Sequence, residues 1–276
     1  MTYRFRVHSV YGPCLFADNG TVEAGIPLNF GLRIGHFSFC GENNVFFEQP
    51  QDMATFTTDK GWRLRGGHRM WIAPESPQVY YPDNDPIAYD MQEDTLVLTQ
   101  PEDPWLKVVK QMYIKLQGTR MQVTHRLTNT ADTPRDCALW AISVVAPGGT
   151  LTVNFERRDG GYDPWHRIAM WDYTDLGDVR ATYTRDQIRI RHLPMEERYK
   201  IGVGHPCGPV FYENGDTVLV KHFDVDPSRV YPDGNVSFET FFSKYMAEIE
   251  SLSPLTTIQP GESAEYTEVL ELLKRQ

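Results

Sequence analysis

Residues 106–128 read L-K-V-V-K-Q-M-Y-I-K-L-Q-G-T-R-M-Q-V-T-H-R-L-T. Two runs rich in Val, Ile, Tyr and Thr flank Gln117-Gly118-Thr119, and in the second run the apolar residues Met121, Val123 and Leu127 share one parity. Alternation with period two suits a pleated strand with one buried face, and a short link containing glycine suits a hairpin. The stretch predicts two antiparallel strands. Working outward, runs of the same character occur at Leu28 to Phe39, Thr95 to Thr99, Thr217 to Phe223 and Val236 to Phe242. About fifteen to eighteen strands are expected along the chain on this reading. The 21 glycines and 19 prolines interrupt it too often for long helices. Only Pro164 to Tyr173 and Glu265 to Lys274 could be helical, and the second also alternates like a terminal strand.

So many strands without periodic helices predict an all-β fold of two large packed sheets. The 276 residues, 41% of them hydrophobic, can bury a sizeable core. No composition shift, linker or internal repeat divides them, so a single domain over 1–276 is expected.

Charge excludes some functions. A formal net charge of -10 is the wrong sign for a protein that tracks a phosphate backbone, so nucleic acid is not an expected partner. No apolar run is long enough to span a membrane, and M-T-Y-R-F-R-V-H-S-V has no apolar leader, which predicts a cytoplasmic protein with no membrane partner. The four cysteines are far apart and form no C-x-x-C pair, so free thiols are expected, with neither a zinc nor a redox motif. Phosphate-binding glycine loops, H-E-x-x-H and G-x-S-x-G are absent, and no cofactor and no metal are expected.

The chemistry must then come from polar residues on strands. In G-G-H-R-M-W-I-A-P-E (66–75), Arg69 and Trp71 share a parity that His68 lacks; a bulge after the two glycines would let all three converge with Glu75 on a small-molecule cleft. His125 shares a face with Met121, Val123 and Leu127 and points into a core or a cavity. Lys221 lies between Leu219 and Phe223, either buried with a partner or snorkelling at an edge. Glu248 and Glu250 share a face with Met246 and Leu252, where burial would raise a carboxyl pKa into the range useful for proton transfer; alternatively that face is solvated and Ala247 and Ile249 form the core side. Y-Y-P-D-N-D-P (80–86) and Y-P-D-G-N (231–235) are turn-rich and bring Asp83, Asn84 and Tyr231 as candidates for a polar cleft, or simply serve as turns.

Taken in order, G-L-R-I-G-H-F (31–37), the glycine-led run at 66–75, Y-Y-P-D-N, T-H-R-L-T-N (124–129), A-L-W-A-I-S-V-V-A-P-G-G (138–149), W-D-Y-T-D-L (171–176), Y-P-D-G-N and E-I-E-S-L-S-P-L-T-T-I-Q-P-G-E-S (248–263) resemble a bacterial family of the galactose mutarotase-like superfamily. The resemblance covers the chain from about Gly25 onward and implies a β-supersandwich whose concave face holds a sugar. Aldose 1-epimerases use a glutamate as base and a histidine as acid to open and reclose the sugar ring. Glu248, ahead of Leu252-Ser253-Pro254 and Pro260-Gly261-Glu262, matches the glutamate; Trp140 stands where the histidine is expected, which leaves His68 or His125 as the acid.

The resemblance therefore implies a carbohydrate-active protein, most simply an aldose 1-epimerase (mutarotase)-like enzyme with Glu248 as base and His68 as acid. Arg69, Asn84 and Lys221 would bond hydroxyls or an anionic substituent and Trp71 would stack on a sugar face, with Glu75, Asp83 and Tyr231 completing the site. The alternatives are a non-catalytic sugar-binding or regulatory protein, or a glycoside hydrolase or lyase using the same cleft. The expected partner is a small-molecule carbohydrate, and nothing in the sequence fixes an oligomeric state.

Overall fold

The computed structural model describes residues 1–157, 162 and 164–275. Strands pair into three sheets, and every pairing between them is antiparallel. The ten-stranded sheet runs Ala181–Tyr183, Gln187–Arg191, Thr150–Asn154, Val210–Asn214, Thr217–Phe223, Ser263–Lys274, Arg120–Asn129, Val108–Gln117, Leu96–Thr99, Ala88–Met91. The eight-stranded sheet runs Arg167–Met170, Tyr199–Gly204, Phe238–Phe242, Ala247–Leu252, Arg135–Val145, Gly67–Ala73, Arg33–Ile34, with Thr256–Ile258 paired to the start of Arg135–Val145. A four-stranded sheet near the N-terminus (Thr2–His8, Gly12–Asp18, Val22–Pro27, His36–Phe39) adds a layer that the two-sheet expectation lacks.

The hairpin that opens the reading forms as expected. Gln117 pairs with Arg120, so the turn has two residues, and Gly118 supplies the positive φ (56°) that such a turn needs. Met121, Val123, His125 and Leu127 are all fully buried on the face that meets the opposite sheet. In Ser263–Lys274 the alternation prevails over the helical reading, because Tyr266, Glu268, Leu270 and Leu272 bury one face while Glu265 and Thr267 stay exposed.

Two expectations are corrected. The segment from Pro164 to Tyr173, which could be helical by its pattern, contains the edge strand Arg167–Met170, which pairs with Tyr199–Gly204. The run from Leu28 to Phe39 is not one strand: it breaks at Gly35, where a Cβ would stand 2.7 Å from the Tyr11 ring, and its halves join different sheets. One continuous hydrophobic cluster, from Leu15 to Leu272, fills the space between the layers. Among the described residues, no helix is long and apolar enough to cross a membrane.

Candidate functional site

Side chains on the eight-stranded sheet divide cleanly between its faces. Ala141, Ser143, Ala247, Ile249 and Ser251 point to the other sheet and are buried, while Trp140, Ile142, Glu248 and Glu250 occupy the opposite face. That outer face floors a cleft with two adjoining lobes of about 710 and 380 Å3, which share Glu75, Tyr80, Trp140 and Trp171. Both volumes are of the size that holds a small ligand.

Gly67–Ala73 is a regular strand with partners on both sides: Arg69 pairs with Arg33 and Ile142, His68 with Ile34 and Ser143. No bulge follows the glycines, so the convergence expected of His68 with Arg69 and Trp71 does not form. Arg69 and Trp71 face the cleft. His68 faces the ten-stranded sheet, where it meets His125, Lys221 and Glu268 in a fully buried cluster. His68 and His125 are thus on the wrong side of the sheet to protonate anything bound beside Glu248. Burial pulls His68 down to about 4 against the pull of Glu268, so it is neutral at ordinary pH.

Lys221 is likewise an interior residue, not a cleft residue, its Nζ 2.9 Å from Glu268 Oε2. Asp83 is taken by Arg33, which also donates to the carbonyls of Leu64 and Gly66. Asn84 bonds Arg65 and the Gly61 carbonyl, and the Tyr231 hydroxyl accepts the Asp226 N–H at 2.9 Å. These three residues serve their turns. Of the sequence-derived candidates, the cleft brings together Glu248, Arg69, Trp71 and Glu75.

Glu248 Oε1 lies 3.3 Å from Arg69 Nη2, and the Arg69 guanidinium sits over the Trp71 ring, 4.6 Å from its centroid. Arg69 is 3% exposed, and its Nε and Nη1 have no hydrogen-bond partner among the described residues. The Trp71 ring packs edge-on against Tyr80 and Trp140, with centroids 5.0 and 5.7 Å away. Tyr80 donates to Glu75 at the rim.

Beside this pair lies a group of which the strand patterns singled out only Glu250. Glu250 pairs in register with Glu239 of Phe238–Phe242, and Lys200 Nζ reaches both carboxylates, 2.9 Å from Glu239 Oε2 and 3.3 Å from Glu250 Oε2. Trp140 Nε1 donates to the same Glu250 oxygen at 2.8 Å. Oε1 of each glutamate has no hydrogen-bond partner among the described residues. Burial, with the nearby carboxylate of Glu248, raises Glu250 to about 7 despite Lys200, and burial pushes Glu239 well above the ordinary carboxyl value as well. For Lys200 burial works against the charge, but Glu250 and Glu239 outweigh it and hold the ammonium above its usual range. One cation serves two carboxyl groups, so the pair retains a proton near neutrality. Glu239 lines the larger lobe, which places that proton store at the cleft floor.

The available signal for these residues was alternation. Y-K-I-G-V-G puts Lys200 opposite Ile201, and F-E-T-F-F puts Glu239 opposite Phe238 and Thr240. What a single strand cannot reveal is that the two polar positions fall beside Glu250.

No protein-family model and no curated protein sequence matches the chain. Solved structures do. A galactose mutarotase-like protein from Lactobacillus casei superposes with a TM-score of 0.59 at 12% identity, over 94% of this chain and 100% of its own. A galactose mutarotase-like protein from Clostridium acetobutylicum gives 0.59 at 10% identity over 100% and 98%. A galactose mutarotase related enzyme from Lactobacillus acidophilus gives 0.56 at 8% over 95% and 97%. The fold is galactose mutarotase-like. The sequence resemblance and the three-dimensional likeness agree on a β-supersandwich, and in this mutarotase-like fold the cleft lies on the eight-stranded sheet.

Proposed function

We propose that the cleft binds a carbohydrate and exchanges its anomers by proton transfer between two unlike carboxyl sites. Glu248, ion-paired to Arg69, is the base that takes the anomeric hydroxyl proton. The Glu239–Glu250 pair, holding a proton beside Lys200, is the acid that replaces the histidine of aldose 1-epimerases. Trp71, Trp140, Trp171 and Tyr80 offer apolar ring surface to a sugar, and Arg69 holds the Glu248 carboxylate beside them.

The observation that carries this reading is the unlike setting of neighbouring carboxyl groups: Glu248 salt-bridged to Arg69 at 3.3 Å, Glu239 and Glu250 buried and sharing the Lys200 cation. Environments that push acid and base apart are what general acid–base catalysis at neutral pH requires. Saturation-transfer NMR across a panel of free aldoses and sugar phosphates tests it. Faster anomer exchange, lost in Glu248→Gln and in Glu239→Gln with binding retained, is expected. Binding of a sugar without any exchange would overturn the catalytic reading and favour the sugar-binding alternative, in which Trp140 marks a lost acid.

A further inference from the structure

Beneath the cleft floor, on the inner face of the same sheet, His68 Nε2, His125 Nε2 and Glu268 Oε1 converge. The three atoms lie 2.9 Å (His68 to Glu268), 3.1 Å (His68 to His125) and 3.4 Å (His125 to Glu268) apart, and all three side chains are fully buried. They come from three strands in two sheets: Gly67–Ala73 on one side, Arg120–Asn129 and Ser263–Lys274 on the other.

Hydrogen bonding alone does not account for this triangle. A hydrogen bond needs a proton on its edge. Each imidazole Nε2 carries at most one proton and has no lone pair left once it does, and the Glu268 carboxylate, paired with Lys221 Nζ at 2.9 Å, only accepts, so no placement of protons gives all three edges a hydrogen bond. If both nitrogens are protonated, two donors face each other across 3.1 Å; if one is not, its lone pair faces the carboxylate. One edge is therefore unfavourable in either state, deep in the protein where such contacts are least screened.

A cation inside the triangle makes all three atoms favourable at once. Ligand atoms about 2.0–2.1 Å from a tetrahedral ion stand roughly 3.3 Å apart, which is the size of this triangle. The bonds around His68 and Glu268 also suit ligation, while His125 Nδ1 has no hydrogen-bond partner among the described residues. His68 Nδ1 is 2.9 Å from Ser143 Oγ, a contact that can fix the tautomer with Nε2 free. Glu268 Oε2, the oxygen turned away from the imidazoles, is 2.9 Å from Lys221 Nζ and accepts from Ser251 Oγ at 2.7 Å, so the carboxylate stands between the ammonium and the triangle. Lys221 spends its protons on acceptors of its own, including the Ala141 and Ile249 carbonyls.

We infer that His68, His125 and Glu268 form a structural site for a divalent transition metal ion of the zinc class, a clasp that ties the two sheets together directly under the cleft. Two imidazoles and one carboxylate are a donor set that zinc accepts. Complete burial places the ion away from any substrate and makes its role one of holding. A second cluster with such donors among the described residues, His8, His36 and Glu48, is chemically different: His8 Nδ1 accepts the backbone N–H of Val10 and Tyr11, so its Nε2 carries the proton and donates toward Glu48.

The test is independent of the cleft chemistry. The full chain is purified, its metal content measured by mass spectrometry, then unfolded in urea and refolded with either Zn2+ or EDTA. A single zinc-class ion per chain is expected after refolding with Zn2+, with a melting temperature roughly 5 °C or more above the EDTA-refolded protein. His125→Ala and His68→Ala should lose the ion, and His8→Ala should keep it. If the histidine variants do not fold, the wild-type chain refolded with Co2+ gives a second readout: visible absorption of Co2+ held by nitrogen and oxygen ligands, displaced by Zn2+. Refolding to the same melting temperature with and without Zn2+ and with no ion retained overturns the site, as does metal that survives in folded His68→Ala or His125→Ala. Wild-type protein that retains no Co2+ and gains no visible Co2+ absorption overturns it equally.

Discussion

Glu239 and Glu250 stand side by side on neighbouring strands and share the single ammonium of Lys200, which lies 2.9 Å from one carboxylate and 3.3 Å from the other. Two negative charges against one positive, all buried, is an arrangement that holds a proton most easily as a pair. It also makes stability depend on pH in a direction opposite to that of an ordinary salt-bridged glutamate.

Glu250 has its folded-state pKa raised from 4.5 to about 7 by burial and the carboxylate of Glu248. Between those values the folded protein holds a proton that the unfolded chain has released, so the stabilisation is complete at the acid end and is lost as pH rises through about 7. Urea unfolding of wild type and Glu250→Gln should therefore diverge. The wild type loses on the order of 2–3 kcal/mol relative to the variant across the window. Parallel profiles for the two proteins would remove the proton store from the account.

Lys200→Met takes away the cation and leaves both carboxyls in an apolar setting. Breaking a buried ionic group by removing one partner costs about 3–5 kcal/mol. The loss should be greatest near pH 8, where the carboxyls are driven to ionise, and smaller near pH 5, where both can be protonated. Chemical denaturation at the two pH values checks the difference, and an equal loss at both would mean that the lysine acts through packing alone.

Trp71 touches the largest aromatic group of the cleft wall, with Trp62 at 5.4 Å between ring centroids in addition to Tyr80 and Trp140. Trp71→Ala should cost about 3–5 kcal/mol through the cavity it leaves, whereas Trp71→Phe keeps much of the packing and should cost less. Sugar binding measured calorimetrically on Trp71→Phe then reports the ring's contribution to ligand contact. Unchanged stability in Trp71→Ala would contradict the packing described.

The sheet architecture was legible because period-two alternation and punctuating glycines act within a few residues: the hairpin at Gly118 follows from local pattern, while the segment ending at Lys274 was left open between helix and strand. That Arg69, Trp71 and Glu248 border one cleft was legible because parity along each strand puts them on one face. His68 was misassigned for the same reason in reverse, since two glycines were read as a bulge although neighbouring strands hold the segment in regular register on both sides. Glu239 and Lys200 were missed because their meeting with Glu250 is set by register between strands, which depends on the whole sheet. Lys221 was left open between an edge and a buried partner; its strand lies inside the ten-stranded sheet, and Glu268 is the partner.

Gly66 and Gly67 set that register, and their replacement gives the sharpest mutational expectation. Both adopt positive φ, 87° and 76°, a region costly for residues with a Cβ. Space is the stronger constraint. A Cβ on Gly66 would stand 1.9 Å from the Phe47 carbonyl oxygen, and one on Gly67 would stand 2.4 Å from that of Ile34. Both obstacles are backbone and cannot rotate away. Moving Phe47 would break its N–H bond to Val144, which holds the Phe47 segment on Arg135–Val145, and the bond from Gly67 N–H to its carbonyl, which ties the glycine-led strand to that segment. Gly66→Ala should therefore combine about 1–3 kcal/mol of conformational strain with lost backbone bonds. It should also shift Arg69 relative to Glu248, so a folded fraction would bind sugar poorly. Gly41→Ala is the matching control, because Gly41 has φ 81° but nothing within 4 Å of its Cβ position, which leaves strain without a clash. Comparable unfolding midpoints for Gly66→Ala and Gly41→Ala would show that close backbone approach does not hold this strand in place.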